Sequence, residues 1–171
     1  LCTQGFETDA KYQFVQGNNP DGTRNPAWEV LLDVDSLAHF ALSGYYHASG
    51  DWPGNFYAVR RNGPESTGFR FITWDSDLGF TGNNVNADKT RNDSGAWWSN
   101  SPGQIDLALR AHPEYRLRFA DIAHRHLFNG GSLTPAVCAA RFLDIAGRIE
   151  PALGAEGARW GDARGLATLT R

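Results

Sequence analysis

Only two cysteines, Cys2 and Cys138, occur in the 171 residues, so neither a disulfide framework nor a four-thiolate zinc site can be built from this chain alone. Two unpaired or buried thiols are the expectation, ahead of a bridge joining the ends of the chain. No run approaches the roughly 18 apolar residues that a membrane-spanning helix needs, and the first residues have no charged stretch leading into an apolar one. Lysine is nearly absent, since Lys11 and Lys89 are the only two. Charge of both signs is scattered, with a formal net of -3 and a pI near 5.9, which leaves no basic stripe of the kind that nucleic acid binding requires. There is no internal repeat and no low-complexity tract.

The length suits a single domain with a real core, and six tryptophans and ten phenylalanines are available to fill it. From Asp33 to His47, the residues Leu37, Phe40, Ala41, Gly44 and Tyr45 recur at helical spacing, which predicts an amphipathic helix. Asp35 or Ser36 is the expected cap at its start and Ser49-Gly50 its stop. Two strand-like runs follow, Asn55 to Arg61 and Phe69 to Trp74, on either side of the turn-rich Asn62 to Gly68. They read as a β-hairpin covered on at least one face. Gly79 to Pro102 is rich in Asn, Gly, Ser and Asp and reads as a long surface loop. Helical periodicity returns over Gln104 to Ala111, Pro113 to Phe128 and Pro135 to Leu153, with proline at two helix starts and Asn129-Gly130-Gly131 between the last two.

Unusual polar residues stand at the edges of this regular structure: Gly50-Asp51-Trp52-Pro53-Gly54-Asn55 after the helix and Trp74-Asp75-Ser76-Asp77 after the second strand. If the hairpin folds back beside the loop, carboxylate and amide oxygens converge in a set suited to a hard cation such as magnesium or calcium. Phosphoryl transfer uses that order of residues: an Asp that orients the hydroxyl proton, an Asn a few positions on that holds metal, and an Asp past the next hairpin that holds metal across the phosphates. Read by residue type alone, the same residues are also ordinary turn and capping residues. Asp75-Ser76-Asp77 resembles the opening of a calcium loop, but the Gly and Glu of an EF-hand do not follow at the required spacing. Trp52 and Trp74 abut these carboxylates, where they could stack on a nucleotide or belong to the core. Arg60, Arg61 and Arg70 could meet phosphate or pair with carboxylates. His124 and His126, two apart, face different sides of a helix and do not suit one zinc ion. With His112 they read as surface or core histidines.

The string Asp33-Val34-Asp35-Ser36-Leu37, then Gly50 to Arg61, then Gly68 to Asp77, resembles the CotH (spore-coat protein H) kinase family in order and spacing. His112 to Phe119 and Phe128 to Pro135 are similar to the helical tail of the same family, and the resemblance covers roughly residues 28 to 165. It implies an atypical, magnesium-dependent protein kinase that passes the ATP γ-phosphate to Ser or Thr of secreted or spore-coat proteins. Asp51 would be the catalytic Asp, Asn55, Asp75 and Asp77 the metal residues (for magnesium, or manganese or calcium), and Trp52 and Trp74 the nucleotide contacts. An extracytoplasmic location follows from the resemblance alone.

A kinase also needs a nucleotide-gripping Lys-Glu pair, and no strand-borne pair is visible here. The chain opens on Leu1 rather than Met, so the expectation is that the N-terminal lobe lies upstream and that this piece by itself is inactive. The fold expected is α+β, a kinase-like C-lobe of helix, catalytic-type loop, β-hairpin, long loop and C-terminal helical bundle, forming one domain. Two other readings stand beside it: a catalytically inactive kinase-like scaffold, and a calcium-stabilised surface or carbohydrate-binding module. The protein substrate is not named by the sequence.

Overall fold

The computed structural model describes residues 5–81, 85–91 and 101–161. They form an α+β arrangement of five helices and one two-stranded antiparallel sheet, in the order α1 (Asp9–Val15), α2 (Val34–His47), β1 (Phe56–Val59), β2 (Arg70–Thr73), α3 (Pro102–Leu109), α4 (Pro113–Leu127) and α5 (Pro135–Trp160). The chain divides into two compact units, Leu1–Ala123 and His124–Arg171. Cys2 and the segments 82–84 and 92–100 of the expected loop lie outside the described residues.

In the first unit α2 is the organising element. Its start is capped by Asp33, not by Asp35 or Ser36: the Asp33 carboxylate accepts the Ser36 amide at 2.9 Å. An N-cap side chain reaches the amide three positions on, and Asp33 stands at that distance. Ser36 is therefore inside the helix, where its hydroxyl accepts the Phe71 amide at 3.0 Å and ties α2 to β2. At the other end the left-handed residue is Ala48 (φ 48), ahead of the expected Ser49-Gly50. Tertiary bonds fix the turn there, because the His47 carbonyl accepts Phe80 N–H at 2.7 Å and Gly50 N–H donates to Leu78 at 3.3 Å. Leu37, Phe40, Ala41 and Gly44 are buried, as the helical spacing requires.

The hairpin pairs Phe56 with Thr73, Tyr57 with Ile72, Ala58 with Phe71 and Val59 with Arg70. Alternation puts Phe56 and Phe71 on the inner face, against the cluster of Phe40, Ala41 and Trp52, with Tyr45 and Phe119 beside it. Tyr57, Val59 and Ile72 remain exposed on the other face, so one face is covered. Gly68 (φ 89) is needed where the chain re-enters: a Cβ there would meet the Leu32 backbone nitrogen at 2.6 Å. That close approach lets Phe69 bond to Leu31 and Asp33 at 3.0 and 3.1 Å.

α3 and the start of α4 meet α2 around Asp106. α3 starts at Pro102, two residues before the expected Gln104, because a proline in the first helical position gives up an amide that has no partner anyway. This register points Asp106 inward, fully buried. Its carboxylate accepts Tyr45 Oη and Tyr115 Oη at 2.5 Å each, and Arg110 Nε and Nη2 at 3.0 and 2.6 Å. α1, which carried no helical expectation, joins α4 through Gln13 and Glu114 at 3.0 Å and through the Tyr12 ring stacked 4.0 Å from His112. His112 Nε2 in turn meets Asp9 at 2.9 Å.

In the second unit, Asn129 (φ 50) and Gly130 (φ 76) turn the chain out of α4. Leu133 N–H donates to the His126 carbonyl at 2.9 Å and Ser132 Oγ meets His126 Nδ1 at 2.7 Å. Cys138 Sγ lies 3.5 Å from the Ser132 carbonyl. α5 continues past the expected end at Leu153 to Trp160, through Gly154 and Gly157.

Two outcomes follow from the Asp106 network. Asp106→Ala leaves Arg110 uncompensated and two tyrosine hydroxyls unmatched, and should lower the free energy of urea unfolding by about 3 kcal/mol. A change within experimental error would show that the network carries no stability. Burial raises the Tyr12 pKa to about 12, and burial together with the Asp106 charge raises Tyr45 and Tyr115 further. Since the unfolded tyrosines ionise near pH 10 while these stay protonated, stability should be flat up to about pH 10 and fall as the pH rises beyond it. Urea midpoints measured from pH 8 to 11 check this.

Candidate functional site

The loop after α2 is wound tightly. Asp51 N–H donates to Ser49 Oγ at 3.2 Å, Trp52 N–H to the Ser49 carbonyl at 3.3 Å, and Gly54 N–H to the Asp51 carbonyl at 2.6 Å. The Trp52–Pro53 peptide is cis. Trp52 anchors this loop, its buried ring 5.1 Å from Phe40 and 5.0 Å from Tyr45 in an edge-on contact. Gly44 makes room for it, since a Cβ at that position would fall 2.0 Å from the indole. Asp51 is thus held one residue from a fixed point of the core.

Asn55 joins this loop to the end of the hairpin. Its Nδ2 donates to Asp51 Oδ2 at 2.8 Å and lies 3.5 Å from the Asp75 carbonyl. Its own carbonyl accepts Trp74 N–H at 2.9 Å. Both Asn55 (φ 49) and Asp75 (φ 51) have left-handed backbone, which short side chains such as Asn and Asp tolerate better than other non-glycine residues. Beyond Asp75, Gly79 N–H closes a turn onto Ser76 at 3.0 Å, and Leu78 receives the Gly50 amide. The turn that carries Asp77 is therefore fastened beside the loop that carries Asp51.

The structure brings Asp51, Asn55 and the backbone of Asp75 together at one edge of the hairpin. Asp75 and Asp77 are both exposed. Among the described residues, no three His, Cys, Asp or Glu side chains converge as a metal-holding group, so the carboxylates of Asp51, Asp75 and Asp77 do not form one cage. A magnesium ion bound with phosphates needs only one or two carboxylates, the rest of its octahedron being phosphate and water oxygens. Asp75, Asp77 and the Asn55 amide oxygen have the chemistry for that role.

Of the two tryptophans, Trp52 is enclosed in the core, whereas Trp74 is exposed and meets Tyr57 edge-on at 5.3 Å. The cavity between Trp52, Asn55 and Trp74 holds about 10 Å³, room for one water. That is too small for a larger ligand, whereas Trp74 and Asp75 are exposed beside it. The three arginines are paired: Arg60 with Glu29 at 3.2 Å, Arg61 with Glu65 at 2.7 Å and Arg70 with Asp33 at 3.4 Å. His112 is buried, while His124 stacks on Phe128.

Asp106 and Tyr45 support the loop from behind and were not singled out by residue type. An acidic residue on the apolar side of a helix, with Arg110 one turn later, was the available signal. The chain matches no family model, no curated protein and no solved structure.

The left-handed backbone at Asn55 gives a test of the junction. Asn55→Gly removes the amide bridge and keeps the backbone comfortable, whereas Asn55→Ala removes the bridge and adds strain. Asn55→Ala should be less stable than Asn55→Gly by about 1 kcal/mol in urea unfolding, and equal stabilities would mean that the loop adopts another backbone in solution.

Proposed function

We propose that the Asp51, Asn55, Asp75 and Asp77 set is the phosphate-handling part of an ATP-dependent protein kinase of the CotH type, acting on Ser or Thr hydroxyls outside the cytoplasm. The observation that carries the reading is the Asn55 side chain, which spans from the Asp51 carboxylate to the Asp75 backbone. It ties the loop after the helix to the turn after the hairpin, the two places where phosphoryl transfer needs a hydroxyl-orienting Asp and a metal-holding Asp.

In this reading Asp51 accepts the proton of the acceptor hydroxyl as its oxygen bonds to the γ-phosphorus. The bond from that phosphorus to the bridging oxygen breaks, and ADP leaves with the electron pair. Asn55 donates to one Asp51 oxygen, which fixes the carboxylate and leaves the other oxygen for the hydroxyl. Asp75 and the Asn55 amide oxygen, with Asp77 as a further carboxylate, would hold magnesium. A bound magnesium would neutralise phosphate charge. Trp74, exposed beside Asp75, offers a face for the adenine ring.

The test is thermal unfolding of the chain with and without ATP and magnesium. At a ligand concentration about 100 times Kd, binding adds about 2.7 kcal/mol, a rise in Tm of roughly 5–10 °C for a chain of this size. The rise should vanish in Asp75→Asn and persist in Asp51→Asn, which removes the base and leaves the metal residues. No response to ATP with magnesium in any of the three proteins would remove the nucleotide reading and favour a kinase-like scaffold.

A further inference from the structure

At the opposite end of β1 from Asn55, the chain forms a cleft of about 450 Å³ between the 24–30 segment and the hairpin end, lined by Arg24, Pro26, Trp28, Glu29, Arg60 and Pro64 among others. That volume lies in the range of small-ligand and side-chain pockets. Its polar chemistry is incomplete. The Arg60 side chain is 21% exposed and lies 5.7 Å from the Phe69 ring centroid. Its one ion pair among the described residues is a single-nitrogen contact, Nη2 to Glu29 Oε1 at 3.2 Å, and Glu29 is 70% exposed. Arg60 Nε is buried without an acceptor. A buried donor on a cation is costly to leave unmatched, and a surface carboxylate such as Glu29 is weakly held.

Arg24 adds a second positive charge with no carboxylate partner among the described residues. Its guanidinium is spent on backbone carbonyls, including Trp28 at 2.8 Å, and is fixed in place by them. The cleft therefore holds two guanidinium groups against one exposed carboxylate, with Trp28, Pro26 and Pro64 as an apolar wall. A guanidinium approached side-on offers Nε and one Nη as parallel donors, a geometry that a carboxylate or phosphate fills with two oxygens. Glu29 uses one of these two positions and leaves Nε empty.

We propose that this cleft is a binding site for an anionic side chain, carboxylate or phosphate, carried on an extended polypeptide. Arg60 receives the anion in place of Glu29, and the tryptophan and prolines take up the neighbouring apolar atoms. The site is separate from Asp51, Asn55 and Asp75 and does not depend on the kinase reading. Asn55 and Arg60 are five positions apart, on either side of the four-residue strand β1, about 16 Å at the rise of a strand.

The experiment is calorimetric titration of the chain with capped peptides of the form Ala-Pro-X-Pro-Ala, where X is Glu, phosphoserine or Gln, and with inorganic phosphate alone. The Glu or the phosphoserine peptide should bind at least tenfold more tightly than the Gln peptide, and the stronger of the two identifies the source of the anion. Arg60→Gln should abolish that preference. Glu29→Gln, by removing the competing carboxylate, should tighten binding severalfold, and no merely structural role for Arg60 predicts that gain. Trp28→Ala should weaken all three peptides alike. Inorganic phosphate binding as tightly as the peptides would overturn the polypeptide part of the proposal. Absence of binding, equal binding of the Gln peptide, or unchanged affinity in a folded Arg60→Gln protein would overturn it entirely.

Discussion

Asp106 is an acidic side chain with no access to water, and the arrangement of α2, α3 and α4 in the first unit answers to that fact. Removing a carboxylate from solvent costs several kcal/mol unless its oxygens are matched, so its neighbours must arrive together. Tyr45 comes from α2, Arg110 from the C-cap of the helix that carries Asp106 and Tyr115 from the first turn of α4. A hydrophobic contact would tolerate small rotations of these helices. Four directional bonds to two oxygens do not, and this fixes the rotation of α2 about its own axis.

That rotation is what the candidate site inherits. With Tyr45 bound to Asp106, its ring presents an edge to Trp52, and the adjacent Gly44 leaves the gap that the indole fills. Asp51 precedes Trp52, so the placement of its carboxylate traces back to a carboxylate on another helix. On the opposite side, Ser36 bonds to Phe71 and aligns β2 with α2, which sets where Asp75 emerges. An isolated two-stranded hairpin is marginal in water. This one is held by Phe56 and Phe71 against Phe40 and by Ser36, so its position is a property of α2 as well.

Much of this was legible in the sequence, and the reasons differ by element. α2, the hairpin and the starts of α4 and α5 were visible because apolar periodicity and proline placement are local signals. The errors at the ends of α2 have a common cause. Sequence reading gave the cap to residues inside the helix and the stop to glycine, whereas the bonds of Leu78 and Phe80 to the helix end allow Ala48 to take the left-handed turn. α1 was missed because seven residues carry too little pattern, although Asp9 in its first turn and the pair Tyr12 and Val15 were weak signs. In the site, the spacing of Asp51 and Asn55 was legible and their contact was not, because it depends on Asn55 itself adopting positive φ. The burial of Trp52 is a property of Gly44 and Tyr45 one helix end earlier, which residue type alone does not mark as its partners.

The hairpin gives the two proposed sites a common frame. At one end, Asn55 and Asp75 carry the oxygen-rich junction. At the other, Arg60 faces the 24–30 segment. Between them Tyr57, Val59 and Ile72 lie on the outer face, exposed. Strand backbone is stiff along its length, so a displacement of one end shifts the other, and anything bound at Arg60 acts on the same strand that positions Asn55. The coupling would be limited, because Phe56 is anchored against Phe40 and Phe71 close to the Asn55 end. A ligand at the cleft would therefore alter the orientation of the Arg60 end more than the geometry of Asp51 and Asn55. Occupancy of the cleft is expected to govern which polypeptide lies along the hairpin, and to leave the intrinsic chemistry at its far end nearly unchanged.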